Sequence, residues 1–227
     1  MTNRSRIDIA LLRSLPLLGS ASEEHAQKLA TAASLRTASP RSILFAEGNR
    51  VDYLFILARG AVELFSEQDE RRFTISVVRA THALNASSLL AERYPLSARV
   101  LEPSEVVCVP AKLIIELMAR DSGLADAMVR KLTRESLQII EDFKKHRLLN
   151  STARIASWML QWDSQNGGNG HIVIPFDKRV LASYLGMTPE QLSRGFATLG
   201  SAGVTVDGRI VNIRDRATLT RISRREQ

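Results

Sequence analysis

Three polar side chains with base-reading chemistry recur on one side of a predicted helix in the stretch LGMTPEQLSRGFATLG, residues 185–200. Glu190, Ser193 and Arg194 are spaced i, i+3 and i+4, which brings them to one helix face. A guanidinium can donate two hydrogen bonds to guanine O6 and N7, and a carboxylate can accept one from cytosine N4. A hydroxyl can bond a base or lie against a thymine methyl group. The alternative is a solvated face with a Glu190–Arg194 ion pair.

The flanking residues predict how this helix begins. Thr188 is placed to cap it, Pro189 suits the first helical position, and Gln191 stands where a capping-box partner belongs. Leu192, Phe196 and Leu199 recur at i, i+4 and i+7 and are expected to face inward, opposite the polar face.

A second predicted helix precedes it. Asp177 is placed to cap a helix that runs from Lys178 to Leu185, and Gly186 is expected to end it, because a sharp turn favours a residue that adopts positive φ.

A predicted β-hairpin follows the two helices. In VTVDGRIVNI, residues 204–213, the pair Asp207-Gly208 separates two apolar runs, which is a strong hairpin signal. Two helices, a short glycine-containing turn and a hairpin predict a winged helix-turn-helix, whose second helix enters the DNA major groove. The side chains expected to contact DNA are Glu190, Ser193, Arg194, Thr188, Gln191, Lys178, Arg179 and Arg209.

Charge and cysteine content limit the function classes. Lys and Arg number 31 against 24 Asp and Glu, which gives a net charge of +7. Residues 151–227 hold ten basic and six acidic residues, so the basic excess is densest there. This balance suits a polyanion partner. Cys108 is the single cysteine, which excludes an intramolecular disulfide and a cysteine-ligated cluster within one chain, and we expect it to be buried in a strand.

The first half of the chain predicts a sensory domain. Residues 7–35 show helical spacing, and residues 41–110 contain short runs rich in Val, Ile, Phe, Leu and Tyr separated by turn signals. This pattern is typical of an antiparallel barrel or jelly roll. Arg13 and Pro16 interrupt the apolar N-terminal stretch, and no run reaches the length of a membrane span, so we expect a cytoplasmic protein with no membrane partner.

A heptad seam follows the strands. Apolar residues with two polar exceptions recur at intervals of four and three, the spacing of a helix that packs along a partner helix. The alternative is that the seam packs on the protein's own core. The seam consists of Ala125, Val129, Leu132, Ser136, Ile139, Phe143 and His146, of which Val129, Leu132, Ser136, Ile139 and Phe143 are the predicted dimer interface.

Taken together, these elements resemble the cyclic-AMP receptor protein / fumarate–nitrate regulator (Crp/Fnr) superfamily over nearly the whole chain. The run ILFAEGNRVDYLFILARGAVELF is similar to the first strands and glycine turns of that family, and PEQLSR is similar to its recognition helix. Glu190, Ser193 and Arg194 match the Glu-x-x-Ser-Arg pattern of the fumarate–nitrate branch. The resemblance implies a homodimer on an inverted repeat of TTGA-like half-sites in double-stranded DNA, with RNA polymerase as a partner. Arg194 would contact the guanine and Glu190 the cytosine of the opposite strand.

The sequence departs from the family at the cyclic-nucleotide cassette. Members that bind cyclic nucleotides carry Gly-Glu, nine further residues, and then Arg-Ser/Thr-Ala. Here Ala86 stands in place of the carboxylate and Leu96 in place of the guanidinium, while Ser97 and Ala98 are kept. A phosphate buried without a cation would carry a large desolvation cost, so cyclic AMP is not expected unless Arg93 or Arg99 supplies the charge.

The sequence leaves the identity of the effector undecided. A lone cysteine excludes iron–sulfur sensing of the fumarate–nitrate type. A third branch of the family consists of haem-binding sensors of nitric oxide or carbon monoxide. If this chain resembles that branch, His82 is the best candidate for the axial ligand. A small apolar effector, or none, fits the lost charges equally well. The residues of the predicted effector pocket are Asn85, Ala86, Ser87, Leu96, Ser97, Ala98 and Ser136, with Leu84, Leu89 and Leu90 as apolar lining.

We therefore predict an α+β protein with an N-terminal β-roll of the cyclic-nucleotide-binding type over residues 1–120, a dimerisation helix over 121–150 and a winged helix-turn-helix over 151–227. The predicted function is transcription regulation. The alternatives are a haem-based gas sensor regulator and a degenerate sensor or interaction module that no longer reads specific DNA. Nothing in the sequence resembles a nucleophile–base pair, a metal-ligand cluster or a phosphate-binding glycine loop, so an enzyme is not expected.

Overall fold

A computed structural model describes residues 2–69, 71–174 and 176–224. The chain divides into two compact units, Met1–Ser136 and Leu137–Gln227. The boundary lies inside one long helix, so the separate dimerisation segment over 121–150 stays a prediction. The outermost residues of the predicted domains, residue 1 and residues 225–227, lie outside the described residues.

The first unit opens with short helices and a strand and continues as a roll of strands. Its helices are α1 (Ile9–Ser14), α2 (Glu23–Ala32) and α3 (Ala111–Met118), with 3₁₀ turns at Leu18–Ser20 and Ala86–Ser88. Its strands are β1 (Thr2–Arg6), β2 (Ser34–Ala38), β3 (Ile43–Phe45), β4 (Tyr53–Arg59), β5 (Ala61–Gln68), β6 (Arg71–Arg79), β7 (His82–Ala83), β8 (Ser97–Val100) and β9 (Ser104–Pro110).

Two antiparallel sheets form the predicted roll. One sheet has the strand order β1-β2-β9-β4-β7 and the other β3-β8-β5-β6. Aromatic rings stack within the roll, where the Phe45 centroid lies 4.4 Å from that of Tyr94 and 5.2 Å from that of Phe55. Cys108 is buried in β9, as predicted.

The prediction of helical structure over residues 7–35 extends too far along the chain. Helix α2 stops at Ala32, and Ser34 and Leu35 pair with Cys108 and Val107 in the sheet. Helical spacing continues into these residues, but the ladder with β9 satisfies their backbone groups, so tertiary pairing decides their conformation.

Helix α4 (Ser122–Leu148) is the predicted long helix. Asp121 caps its start, because its carboxylate accepts from the backbone N–H of Leu124 at 3.0 Å and from that of Ser22 at 2.8 Å. Among the residues that the structure describes, no helix combines the length and the apolar character that crossing a membrane requires.

The second unit contains the helix-turn-helix and its hairpin. Its further elements are α5 (Ser151–Gln165), β10 (His171–Val173), α6 (Lys178–Tyr184), α7 (Pro189–Gly200), β11 (Val204–Asp207), β12 (Ile210–Ile213) and α8 (Arg216–Ile222), with a sheet in the order β10-β12-β11. The side chain of Asn150 caps α5, because it accepts from Ala153 N–H at 3.0 Å. In the hairpin Asp207 pairs with Ile210, which leaves Gly208 and Arg209 as the turn.

Candidate nucleic-acid interface

The turn between α6 and α7 has the geometry that the sequence predicts. Gly186 has a φ of +63°. Its N–H donates to Ser183 O and the N–H of Met187 donates to Ala182 O, both at 3.0 Å. This pair of bonds is the Schellman motif, which ends a helix at a residue in the left-handed region.

A reciprocal capping box starts α7. The Thr188 hydroxyl accepts from Gln191 N–H at 3.2 Å, and the Gln191 side chain accepts from Thr188 N–H at 2.9 Å. Both side chains were predicted to contact DNA. In the structure these two side chains satisfy free backbone donors at the start of α7 and fix where that helix begins, and their contact with DNA stays a prediction.

The two faces of α7 are separated as predicted. Leu192, Phe196 and Leu199 are buried, and Glu190, Ser193 and Arg194 are exposed. Within the described part of the chain Arg194 has no ion-pair partner, so its guanidinium is free to donate to a ligand.

Local bonds hold Glu190 in its charged form. A hydrogen bond from the Thr188 side chain lowers the pKa of Glu190, and the backbone N–H of Glu190 and the charge of Arg194 act in the same direction against a small desolvation effect. A carboxylate that stays ionised is an acceptor only, which suits the exocyclic amine of cytosine.

The three basic residues outside α7 that the sequence predicts to contact DNA differ in how free their side chains are. Lys178 and Arg179 are exposed on α6, and the Lys178 ammonium lies 5.7 Å from the centre of the Phe196 ring. Arg209 donates to the Asp177 carboxylate at 2.8 Å. Asp177 therefore makes no side-chain bond to cap α6, contrary to the sequence prediction, and Arg209 ties the hairpin turn to the start of that helix.

The predicted effector pocket is not brought together as one site. The Asn85 amide is buried and spans two backbone groups of β4, accepting from Phe55 N–H and donating to Tyr53 O, each at 2.9 Å. Ser97 accepts from Glu47 N–H at 2.9 Å, and Ala98 is buried in the roll. These residues stabilise the roll rather than line a cavity.

A cavity of about 340 Å³ does lie beside part of the cassette. Ala86 and Ser87 contribute to it from the cassette, as do the predicted apolar residues Leu89 and Leu90. Leu84, Leu96, Ser97, Ala98 and Ser136 do not line it. Five further lining residues come from α3, the residue after it and α4, and no local motif marks them as part of a pocket: Ile115, Met118, Ala119, Met128 and Leu132.

The two arginines that could have replaced the lost guanidinium are engaged elsewhere. Arg99 forms an ion pair with the buried Glu63 carboxylate at 2.6 Å, and Arg93 donates to Gly48 O at 2.7 Å. Neither lines the cavity.

His82 does not fit the predicted role of haem ligand. Its Nε2 lies 2.6 Å from the Lys131 ammonium and 3.5 Å from the Glu135 carboxylate. Burial lowers the pKa of Lys131. Burial also opposes ionisation of Glu135, but bonds from His82 and Lys131 outweigh it and lower the pKa of that carboxyl. A metal at Nε2 would have to displace this ion-pair cluster. Elsewhere in the described chain, no group of three or more His, Cys, Asp or Glu side chains is placed to hold a metal ion.

A two-sheet roll followed by a long helix and a winged helix-turn-helix, with an exposed polar face on its second helix, is the organisation of a DNA-binding transcription regulator. Comparison with known proteins agrees. Residues 153–222 match the Crp-like helix-turn-helix domain and residues 35–121 match the cyclic nucleotide-binding domain. The chain belongs to the Crp/Fnr superfamily of transcription regulators, which are not enzymes.

Relatives and solved structures share this organisation. The chain is 28% identical to the transcriptional activator protein anr of Pseudomonas aeruginosa over 186 residues, which are 78% of this chain and 75% of the relative. FixK2 of Bradyrhizobium japonicum aligns with a TM-score of 0.75 at 19% identity, over 84% of this chain and 96% of that one. A CooA mutant of Carboxydothermus hydrogenoformans gives a TM-score of 0.75 at 16% identity, over 97% and 98%. These two structures support the fold alone.

Proposed function

We propose that two copies of this chain bind an inverted repeat of TTGA-like half-sites, with Arg194 on the guanine and Glu190 on the cytosine of the opposite strand. The observation that carries the proposal is the exposed Glu190–Ser193–Arg194 face, held by the capping box at one end and by buried leucine and phenylalanine side chains behind it. The cap and the buried face fix the helix itself, so the three exposed side chains start from set backbone positions, which favours direct base readout.

The proposed dimer rests on the exposed apolar surface of α4. Val129, Ile139 and Phe143 from the heptad seam are 61%, 67% and 63% exposed, and Leu137 and Ile140 beside it are also exposed. A contiguous apolar stripe on a charged helix is the surface that a partner helix covers in a coiled coil. Leu132 is only partly exposed and packs against the core of the first unit, so it serves both surfaces.

The proposed effector is not a cyclic nucleotide. The cassette offers no carboxylate for a ribose hydroxyl and no cation for a phosphate, and the neighbouring cavity is lined almost wholly by aliphatic side chains and thioethers. An apolar molecule in that cavity, controlling how the dimer acts with RNA polymerase on double-stranded DNA, fits these residues better than an anion does.

The DNA proposal is tested by Arg194→Ala with Arg179→Ala as the matched control. Loss of the base contact should cost about 1–3 kcal/mol per half-site and remove the preference for guanine. Loss of a phosphate contact at Arg179 should weaken all sequences equally and lower the salt dependence by about one unit of slope. Fluorescence anisotropy on duplexes that differ only at the guanine separates the two, and unchanged guanine preference in Arg194→Ala would contradict the assignment.

The effector proposal is tested by calorimetric titration with cyclic AMP. We expect no heat at physiological concentration and no change in DNA affinity. Micromolar binding that disappears in Arg93→Ala would show that this arginine leaves Gly48 to neutralise the phosphate.

A further inference from the structure

One arginine joins the ends of two helices in the second unit. The Arg154 guanidinium donates from one nitrogen to Leu149 O at 2.8 Å and from another to Leu185 O at 3.1 Å. Leu149 directly follows α4, and Leu185 is the C-cap residue of α6. Carbonyls at helix ends have no partner within their helix, and a planar fork of donors can satisfy two of them at once.

A histidine of α4 contacts the same turn from the other side. A Cβ atom built on Gly186 would lie 2.9 Å from both Cε1 and Nδ1 of His146, so the ring rests directly on the glycine backbone. His146 also bonds the backbone of Tyr184, and this bond favours the protonated ring, which identifies the Tyr184 carbonyl as the acceptor.

The groups around His146 come from three helices. Burial and the Arg154 charge lower the pKa of His146, whereas Asp142 and the bond to Tyr184 act in the opposite direction. Burial, together with the Asp142 charge, raises the pKa of the Tyr184 hydroxyl to about 12. At neutral pH the ring is therefore a neutral donor that reaches from α4 to the turn, although the residue as a whole stays exposed.

We propose that Arg154 and His146 are positioning residues that lock the helix-turn-helix turn to the last turns of α4 and so set the spacing between half-sites. This inference rests on the proposed binding of a dimer to an inverted repeat. Helix α7 begins only three residues after Gly186, at Pro189, so the turn fixes where the recognition helix starts. If α4 pairs with its partner, the joint between α4 and the turn determines the distance between two recognition helices.

A nearby bond provides a matched control. Lys145 of α4 donates to the Gln161 side chain of α5 at 2.9 Å. It links α4 to α5, the helix that carries Arg154, but it does not involve the turn. Gln161→Met should therefore lower the stability of the unit without changing which spacing it prefers.

The test is a set of affinities at fixed salt on duplexes with identical half-sites. Three duplexes are compared: one has the preferred centre-to-centre spacing of the half-sites, one is a base pair shorter and one is a base pair longer. Each base pair moves a half-site by about 3.4 Å and turns it by about 35°. A rigid joint cannot follow that change, so the wild type should prefer one spacing by about tenfold or more, the ratio that corresponds to a single charge-assisted hydrogen bond.

Arg154→Lys keeps the charge but loses the fork, and it should reduce the spacing preference to less than about threefold. His146→Ala should do the same, while His146→Gln, which keeps a donor for Tyr184, should retain most of the preference. Gln161→Met should keep the wild-type ratio of affinities between the spacings. If Arg154→Lys and His146→Ala bind all spacings more weakly but keep the wild-type ratio, the residues are merely structural and the inference is wrong. A wild type that binds an inverted repeat no better than one half-site would instead refute the proposed dimeric function.

Discussion

Gly195→Ala should destabilise the second unit although alanine is the better helix former. Gly195 lies in the middle of α7 and is buried against α5. A Cβ atom at this position would lie 2.3 Å from Cδ1 of Ile155, a side chain with no exposed surface. Two carbon atoms need about 3.5 Å or more, so the helices must separate by roughly 1 Å or Ile155 must leave its rotamer.

The two opposing contributions can be compared. Overpacking a buried helix contact costs about 1–3 kcal/mol, and replacing glycine by alanine inside a helix contributes about 1 kcal/mol in the other direction. The net loss in free energy of unfolding is therefore about 1 kcal/mol. Gly200→Ala is the matched control, because nothing lies within 4 Å of a Cβ atom there. It should raise the free energy of unfolding by about 0.5 kcal/mol.

The chain reports on this contact by itself. Its two tryptophans, Trp158 and Trp162, both lie in α5, and their rings are 5.6 Å apart. Urea titration followed by tryptophan fluorescence thus measures unfolding of the unit that contains Gly195. A Gly195→Ala midpoint equal to or above that of wild type, with an unchanged slope, would refute the argument that the two helices approach too closely for a side chain.

Two further perturbations test the long helix. Phe143→Asp places a charge in the proposed dimer seam and should give monomers in light scattering and weak DNA binding. Arg134→Asp, an exposed position on the opposite side of the helix, should stay dimeric. A wild type that is monomeric at micromolar concentration would contradict the seam. Asp121→Ala removes the cap of α4 and should cost about 0.5–2 kcal/mol at pH 7 by urea titration followed by circular dichroism. Burial opposes ionisation of Asp121, but N–H bonds from Leu124 and Ser22 and the bond from His25 outweigh it and hold the pKa of that carboxyl below its usual value. The stabilisation by Asp121 is therefore present above the pKa of an unfolded-state aspartate, about 3.9, and is lost as pH falls below it. The difference in free energy of unfolding between wild type and variant should shrink in acid. A difference that does not depend on pH would contradict this prediction.

The recognition helix was predictable because its determinants are neighbours in sequence. Thr188, Pro189 and Gln191 act within one turn, and Leu192 and Phe196 follow a fixed period, so the cap and the buried face need no information about the rest of the fold. Asp177 shows the limit of such reasoning. It stands at a capping position, yet its carboxylate binds Arg209, which is distant in sequence and adjacent only in the folded unit.

The sequence by itself determined the strand-rich roll, the long helix, the winged helix-turn-helix and the exposed Glu190–Ser193–Arg194 face, since each depends on local periodicity, capping and turn chemistry. It also determined what the cassette lacks, because a missing carboxylate and a missing guanidinium are visible without coordinates. Only the tertiary structure decided where the cavity lies, that His82 is engaged by Lys131, and that Arg154 joins two helix ends. Each of these depends on side chains brought together from separate elements, and the packing of those elements is set by burial of the whole core rather than by any local spacing.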